Sequence, residues 1–367
     1  MRRLGNSVSR LTAASRAIQA ANANANFNDD GRLAPLTGFG SNPGELDARL
    51  YSATDSPTAL VVVLHGCTQT ASAYDRGSGW SKLAEQHGFA VLFPQQRRTN
   101  NSNLCFNWFR PGDARRGRGE AASISEMVQH VAGRYRLGRT HIFITGLSAG
   151  GAMTSVMLAC YPELFAGGAV IAGLPFASAN TLPEALERMR GQGAPPRREI
   201  AARAIAAADH TSHRPTLSVW HGTQDATVDR SNATAIVDQW RDLHGLGTTD
   251  GVVEIVDGHR REAWSDPQGR VVIERYDVQG MGHGTPLDTR GSAPCGAAGP
   301  HMLEAGICST RRLAGFWGLV SGAAAQRERS RPADQAEPKR LQPTFAARES
   351  GPGGVIEDAL RAAGLMR

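Results

Sequence analysis

Near the middle of the chain a short apolar run, His141-Ile142-Phe143-Ile144, gives way to Gly146-Leu147-Ser148-Ala149-Gly150, and a helical stretch follows at once. A serine at a sharp strand-to-helix turn must take a strained backbone conformation. The strand and helix flanking it approach so closely that only small side chains fit between them, hence Gly146, Ala149, Gly150 and Gly151. Such a turn lifts the hydroxyl clear of the sheet and points a helix N-terminus at any negative charge that develops beside it. A Gly-x-Ser-x-Gly match by itself also arises as a chance glycine-serine turn. Here the strand before, the helix after and the extra Gly151 favour a nucleophile.

The rest of the chain repeats the strand-helix alternation. Further apolar runs occur at 61–64, 89–93, 169–172, 217–220 and 271–276; those at 61–64, 89–93 and 217–220 stop at His65-Gly66, Pro94 and His221-Gly222. Continuous apolar runs of this length, without polar alternation, predict strands buried on both faces. Helical stretches are expected at 120–135, where Ile124, Met127, Val128 and Val131 form one stripe, and at 149–160, 231–243 and 309–320. The pattern predicts an α/β-hydrolase fold, a mainly parallel sheet with helices on both faces. Residues 1–44 read as a weakly ordered lead-in, 45–321 as the catalytic domain, and 322–367 as a linker with a short C-terminal helix over 355–366. The Arg/Ala/Pro-rich stretch 181–214 is expected to hold two short helices at the rim of the site.

Composition narrows the function classes. With 367 residues the chain suffices for one large domain, and its net charge is +6. Only Lys82 and Lys339 are lysines, and no arginine run is interleaved with aromatics, so nucleic acid is not an expected partner. No stretch approaches the ~18–20 apolar residues of a spanning helix, so neither is a membrane. The first 26 residues carry Arg2, Arg3, Arg10 and Arg16 but no unbroken apolar core, so they give no clear export signal. The five cysteines allow two disulfides in an oxidising compartment or five thiols in a reducing one.

A nucleophilic serine needs a base, and the base needs an orienting carboxylate; in this fold the order is Ser, Asp or Glu, His. Asp225, in Trp220-His221-Gly222-Thr223-Gln224-Asp225, lies just past the fifth strand. Asp229 competes with it but precedes Arg230-Ser231 in the manner of a helix N-cap. His283, in Gly280-Met281-Gly282-His283-Gly284, follows the sixth strand. His259 precedes that strand, at its wrong end, and His301 falls in a later loop. The two oxyanion donors are expected to be the backbone N–H groups of Ala149 and of Cys67, the latter in Leu64-His65-Gly66-Cys67-Thr68-Gln69. Cys67 reads equally as a small buried residue, since only its backbone would act. His65 is placed either against substrate or as a brace for this loop, and Trp108 either against the acyl group or in the core.

These segments, with Cys105-Phe106-Asn107-Trp108-Phe109, resemble the esterases of the polyhydroxybutyrate depolymerase family over roughly residues 45–320. The order, with the oxyanion loop upstream of the serine, is similar to the non-permuted catalytic domain of extracellular short-chain polyhydroxyalkanoate depolymerases. The resemblance implies a secreted serine esterase that needs no metal or cofactor and cleaves poly-3-hydroxybutyrate esters or their oligomers. Feruloyl and acetylxylan esterases belong to the same broad family, so a carbohydrate ester is the alternative substrate, and a cytoplasmic location the alternative to secretion. The roughly 47 residues after position 320 are short for a linker plus a polymer-binding domain. Amorphous polymer or soluble oligomers are therefore expected over crystalline polymer. Cys67 and Cys105 lie in loops near the site, and Cys295 and Cys308 flank the region after His283; either pair can bond in an oxidising compartment. Cys160, inside the helix after the elbow, reads as core.

Overall fold

The computed structural model describes residues 31–208, 213–291 and 293–320. The chain divides into two units, Met1–Leu33 and Ala34–Arg367; the fold and site described below lie in the second. Its strands are β1 (Ala34–Pro35), β2 (Asp47–Tyr51), β3 (Leu60–Leu64), β4 (Ala90–Gln95), β5 (Ile142–Leu147), β6 (Gly167–Ile171), β7 (Thr216–Gly222), β8 (Val252–Val256), β9 (His259–Ser265), β10 (Val271–Val278), β11 (Thr285–Leu287) and β12 (Met302–Glu304). Ten of them form one sheet in the order β1-β2-β4-β3-β5-β6-β7-β10-β9-β8, and β11 pairs with β12 apart from it. The six central strands, β4 through β10 in that order, are mutually parallel. They are the six apolar runs of the sequence. All five residues of β3, for example, are buried, which is what a strand covered on both faces requires.

The helices are α1 (Ala71–Ser78), α2 (Trp80–His87), α3 (Gly119–Tyr135), α4 (Ala149–Cys160), α5 (Leu182–Met189), α6 (Arg197–Ala207), α7 (Ser231–Leu243) and α8 (Ser309–Phe316). Helix α4 packs on β3, β5 and β6, α3 on β4, and α7 on β7 and β10. Every residue of α4 is buried, so it reads as apolar all round rather than as an amphipathic surface helix. The arrangement is the expected α/β-hydrolase sheet. The Arg/Ala/Pro-rich stretch supplies α5 and α6, as its composition suggested.

Several elements differ from expectation. The helix expected over 309–320 ends at Phe316. Ala34 and Pro35, inside the stretch expected to be weakly ordered, pair with Leu50 and Arg49 and extend the sheet. Helices α1 and α2 and the antiparallel strands at both sheet edges had no counterpart in the sequence reading. The export-signal region, the linker and the 355–366 helix lie outside the described residues.

The chain runs from β3 to β4 on one side and then returns to β5 on the other. The strand order therefore switches direction between β3 and β5. At such a point the loops leaving the two strands splay apart and open a crevice at their carboxyl ends.

Candidate active site

Ser148 stands at that crevice, between the last residue of β5 and the first of α4. Its φ of 56° and ψ of −118° lie outside the regions open to an unstrained L-residue, a conformation that costs ~1–3 kcal/mol. The glycines show why the turn can be so tight. A Cβ on Gly146 would overlap the carbonyl of Gly150, and one on Gly150 would overlap the carbonyls of Leu64 and His65. A Cβ on Gly151 would sit 2.9 Å from the oxygen of Ile171. The Ser148 N–H donates to Ile171 O at 2.9 Å, so the elbow is also fastened to β6.

Asp225 and His283 come together from the ends of β7 and β10. His283 Nδ1 lies 2.7 Å from Asp225 Oδ2, with side-chain exposures of 9% and 0%. The N–H groups of Thr227 and Val228 both donate to Asp225 Oδ1 at 2.9 Å. Burial pushes the Asp225 carboxyl up, but the hydrogen bond and charge of His283, with the Val228 N–H, outweigh it and hold it below the usual range. The group that faces His283 is thus a carboxylate. It accepts from Nδ1–H, which leaves Nε2 as the basic nitrogen. Asp229 does not reach His283 in this way: its Oδ1 accepts from the Ser231 N–H at 2.9 Å, at the start of α7.

His221 was missed as a participant. It is 1% exposed, and its Nε2 lies 2.8 Å from Val228 O and 3.5 Å from Asp225 Oδ2. Burial keeps this imidazole below its ordinary pKa. As a neutral donor to Val228 O it closes the turn that carries Asp225. Its position directly before Gly222 in the strand is the one sequence sign of that role.

His259 occupies an unexpected place. Because β9 runs antiparallel to β10, the start of β9 lies beside the end of β10, at the carboxyl edge and not the opposite one. His259 is still no base for the serine. Its Nδ1 accepts from the Gln279 N–H at 3.0 Å and its Nε2 meets Ala305 O at 2.9 Å. His301 lines the same cavity as Ser148, and its ring stands 5.8 Å from that of His283, but its Nδ1 contacts His283 O, at 3.2 Å.

The loop after β3 brings Gly66, Cys67 and Gln69 to the cavity. Gln69 Oε1 accepts from the Gly66 N–H at 2.9 Å, and Thr68 N–H donates to Asn103 O at 2.6 Å. The Ala149 N–H opens a helix, where first-turn donors lack intrahelical acceptors. Assignment of His65 to substrate contact is corrected by the structure. The residue is 1% exposed and is not among those lining the cavity. Its Nε2 accepts from the Gln96 N–H at 3.2 Å, and its Nδ1–H donates to Gly66 O at 2.8 Å. Burial lowers its pKa to about 4, so it is a neutral brace.

A cavity of about 740 Å³ joins these groups. Trp108 lines it and is also 8% exposed, so the choice between core and site is answered by both. Leu182, Leu186 and Met189 of α5 add an apolar wall to the same cavity. Helix α5 thus supplies the expected rim, and α6 contributes none of the lining. Disulfides join Cys67 to Cys105 and Cys295 to Cys308, and Cys160 is a buried free thiol. The first ties the loop bearing Cys67 to the segment bearing Trp108. Among the described residues no cluster of His, Cys, Asp or Glu could hold a metal ion. No helix among them is long and apolar enough to cross a membrane.

Comparison with known proteins gives the family and the fold. Residues 51–264 match the model of the family described as esterase PHB depolymerase. The chain is 40% identical over 292 residues to poly(3-hydroxyalkanoate) depolymerase C of Paucimonas lemoignei, covering 78% of this chain and 70% of that one. It is 33% identical to acetylxylan esterase A of Aspergillus oryzae, over 74% of this chain and 90% of the relative. Among solved structures, an acetyl xylan esterase from Aspergillus awamori superposes with a TM-score of 0.66. At 24% identity it covers 78% of this chain and 99% of its own, which supports the fold.

Proposed function

The chain belongs to the PHB depolymerase esterase family, and from that premise we propose that it hydrolyses short-chain polyhydroxyalkanoate esters through an acyl-enzyme on Ser148. The observation that carries the reading is the 2.7 Å contact of His283 Nδ1 with Asp225 Oδ2, in the cavity that Ser148 also lines. In this reading Asp225, kept ionised, fixes the Nδ1–H tautomer of His283. Nε2 is then free to take the proton as Ser148 Oγ attacks the ester carbonyl. The N–H groups of Cys67 and Ala149 receive the oxygen as it becomes negative; each such donor is worth about 10²–10³ in rate. His283 next returns its proton to the leaving alkoxide. Water, activated by the same imidazole, then attacks the acyl-enzyme carbonyl, and Ser148 leaves with the proton restored.

The apolar wall of α5 and the indole of Trp108 suit an aliphatic acyl group better than a bare sugar. The 40% identity to a poly(3-hydroxyalkanoate) depolymerase supports the polyester reading over a carbohydrate ester. The acetylxylan esterase relative makes acetylated xylan the competitor. Two disulfides support an oxidising, extracellular setting. Clearing of an amorphous poly-3-hydroxybutyrate suspension tests the assignment. The wild type is expected to clear it and Ser148→Ala is not; clearing that persists in the variant removes Ser148 from the mechanism. Ranking hydroxybutyrate oligomers, acetylated xylan and feruloyl esters by kcat/KM decides the substrate class.

A further inference from the structure

Glu120, in the first turn of α3, has the look of an ordinary acidic residue facing a helix dipole. It is instead 1% exposed. Its Oε1 accepts from Gln96 Nε2 at 2.6 Å and from Asn107 Nδ2 at 2.6 Å, and its Oε2 accepts from the Asn107 N–H at 2.8 Å. Three donors converge on one carboxyl group. That set matches the ionised form, because a carboxylic O–H would meet donors on both sides. Taking a carboxylate out of water costs several kcal/mol unless such partners compensate.

The partners lead to the site in two directions. Asn107 lies within the segment whose Cys105, Phe106, Trp108 and Phe109 line the cavity, and its Oδ1 accepts from Asn101 Nδ2 at 3.2 Å. Gln96 donates its backbone N–H to His65, which in turn donates to Gly66 O, one residue before Cys67. The Cys67–Cys105 disulfide joins the two branches. Resting on the reading of Ser148 and Cys67 given above, we propose that Glu120 is a positioning residue for ester hydrolysis. Through Asn107 it holds the Trp108 wall, and through Gln96 and His65 it aims the Cys67 N–H at the oxyanion.

The groups around Glu120 are few. Asp113 is the charged neighbour whose field opposes its ionisation, and Arg110 in turn acts on Asp113. His65 is neutral. The backbone of Gly44 packs so closely on Glu120 Cα that a Cβ there would lie 2.5 Å away. Burial raises the Glu120 carboxyl to about 7, against the Asn107 and Gln96 donors that lower it.

The test compares wild type with Glu120→Gln, which keeps the shape and removes the charge. Fluorophosphonate labelling of Ser148, kcat and KM for p-nitrophenyl butyrate from pH 5 to 9, and Tm are measured on the same samples. At pH 8 the variant is expected to lose about tenfold or more in kcat and in labelling rate, a fraction of the loss of a whole oxyanion donor. Its pH–rate profile should also lack one ionisation near neutrality. A residue that only stabilises the fold would change Tm alone. A folded variant with wild-type kcat, KM and pH profile therefore overturns the proposal. Should Glu120→Gln not fold, Gln96→Leu and Asn107→Ser cut the two branches separately. The first is expected to lower kcat and the second to raise KM, and wild-type values in both overturn the proposal equally. If wild type itself is not labelled at Ser148, the reading of the site fails and takes this proposal with it.

Discussion

Gly222 and Met281 meet backbone to backbone: a Cβ on Gly222 would overlap the carbonyl oxygens of Met281 and Gly282. The two loops are also stitched together by Gln224 N–H to Met281 O at 2.9 Å and Gly280 N–H to Thr223 Oγ1 at 2.8 Å. This close approach lets a carboxylate after β7 reach an imidazole after β10. Gly222→Ala must push the loops apart, and a displacement near 1 Å at a reacting group costs about 10²-fold in rate. We expect kcat for p-nitrophenyl butyrate to fall by about that factor in a protein that still folds. A variant within threefold of wild type would show that the contact does not set the triad.

The two aspartates on the 222–231 stretch separate by the same measurement. Asp225→Asn should lower kcat by about 10³–10⁴-fold, because an amide cannot hold the Nδ1–H tautomer or balance the imidazolium. Asp229→Asn should leave kcat within a few-fold, since the asparagine side chain keeps an oxygen for the Ser231 N–H. The reverse ranking would move the acid to Asp229.

The centre of the fold was legible because strands buried on both faces must be apolar throughout. The edges were not. Four residues of β8 are exposed, and β2 mixes half-buried with buried positions; such strands are held by their neighbours rather than marked by their own pattern. Missing β9 had a direct consequence, for an unseen antiparallel strand made His259 look as if it began at the far end of the sheet. The meeting of Asp225 and His283 at the cavity that Ser148 lines was legible from their order and their place after strands. Glu120 was not, since its donors lie 13 and 24 residues away and nothing local distinguishes it from a surface helix-capping acid. His65 sat in the right motif, but only the fold shows that both of its nitrogens are taken by backbone.

The two disulfides should differ in what their loss removes. Cys67–Cys105 spans 38 residues and Cys295–Cys308 spans 13, worth about 4 and 3 kcal/mol respectively in the chain-entropy model. The first also joins the expected oxyanion loop to the aromatic wall. Replacing Cys67 and Cys105 by serine should lower both Tm and kcat, whereas replacing Cys295 and Cys308 should lower Tm with kcat held within a few-fold. Equal losses of kcat in the two variants would deny the first bridge any special role at the site.

Glu120 should leave a signature in how stability varies with pH, with a sign opposite to that of the buried histidines. His65 and His244 are lowered to about 4 chiefly by burial, while in the unfolded chain each titrates near 6.5. Between those values the unfolded state binds protons that the folded state excludes, so stability rises with pH, by about 3 kcal/mol for each histidine. Glu120 runs the other way. Its carboxyl is raised to about 7 from an unfolded 4.5, so in that window the folded state holds a proton the unfolded state has released. Its favourable contribution is complete below the unfolded value and lost as pH climbs through 7, a swing of about 3 kcal/mol. Wild type should therefore show a shallow rise between pH 5 and 7, and Glu120→Gln a steeper one. Urea unfolding at pH 5, 6, 7 and 8 measures the difference, and the variant should gain on wild type steadily across the series. A constant difference would mean that Glu120 keeps one charge state throughout, and the ionisation assigned to it in the rate profile would then belong to another group. A growing difference would mean that the carboxylate is retained at a cost to the fold, the trade expected where a buried charge serves the site rather than the core.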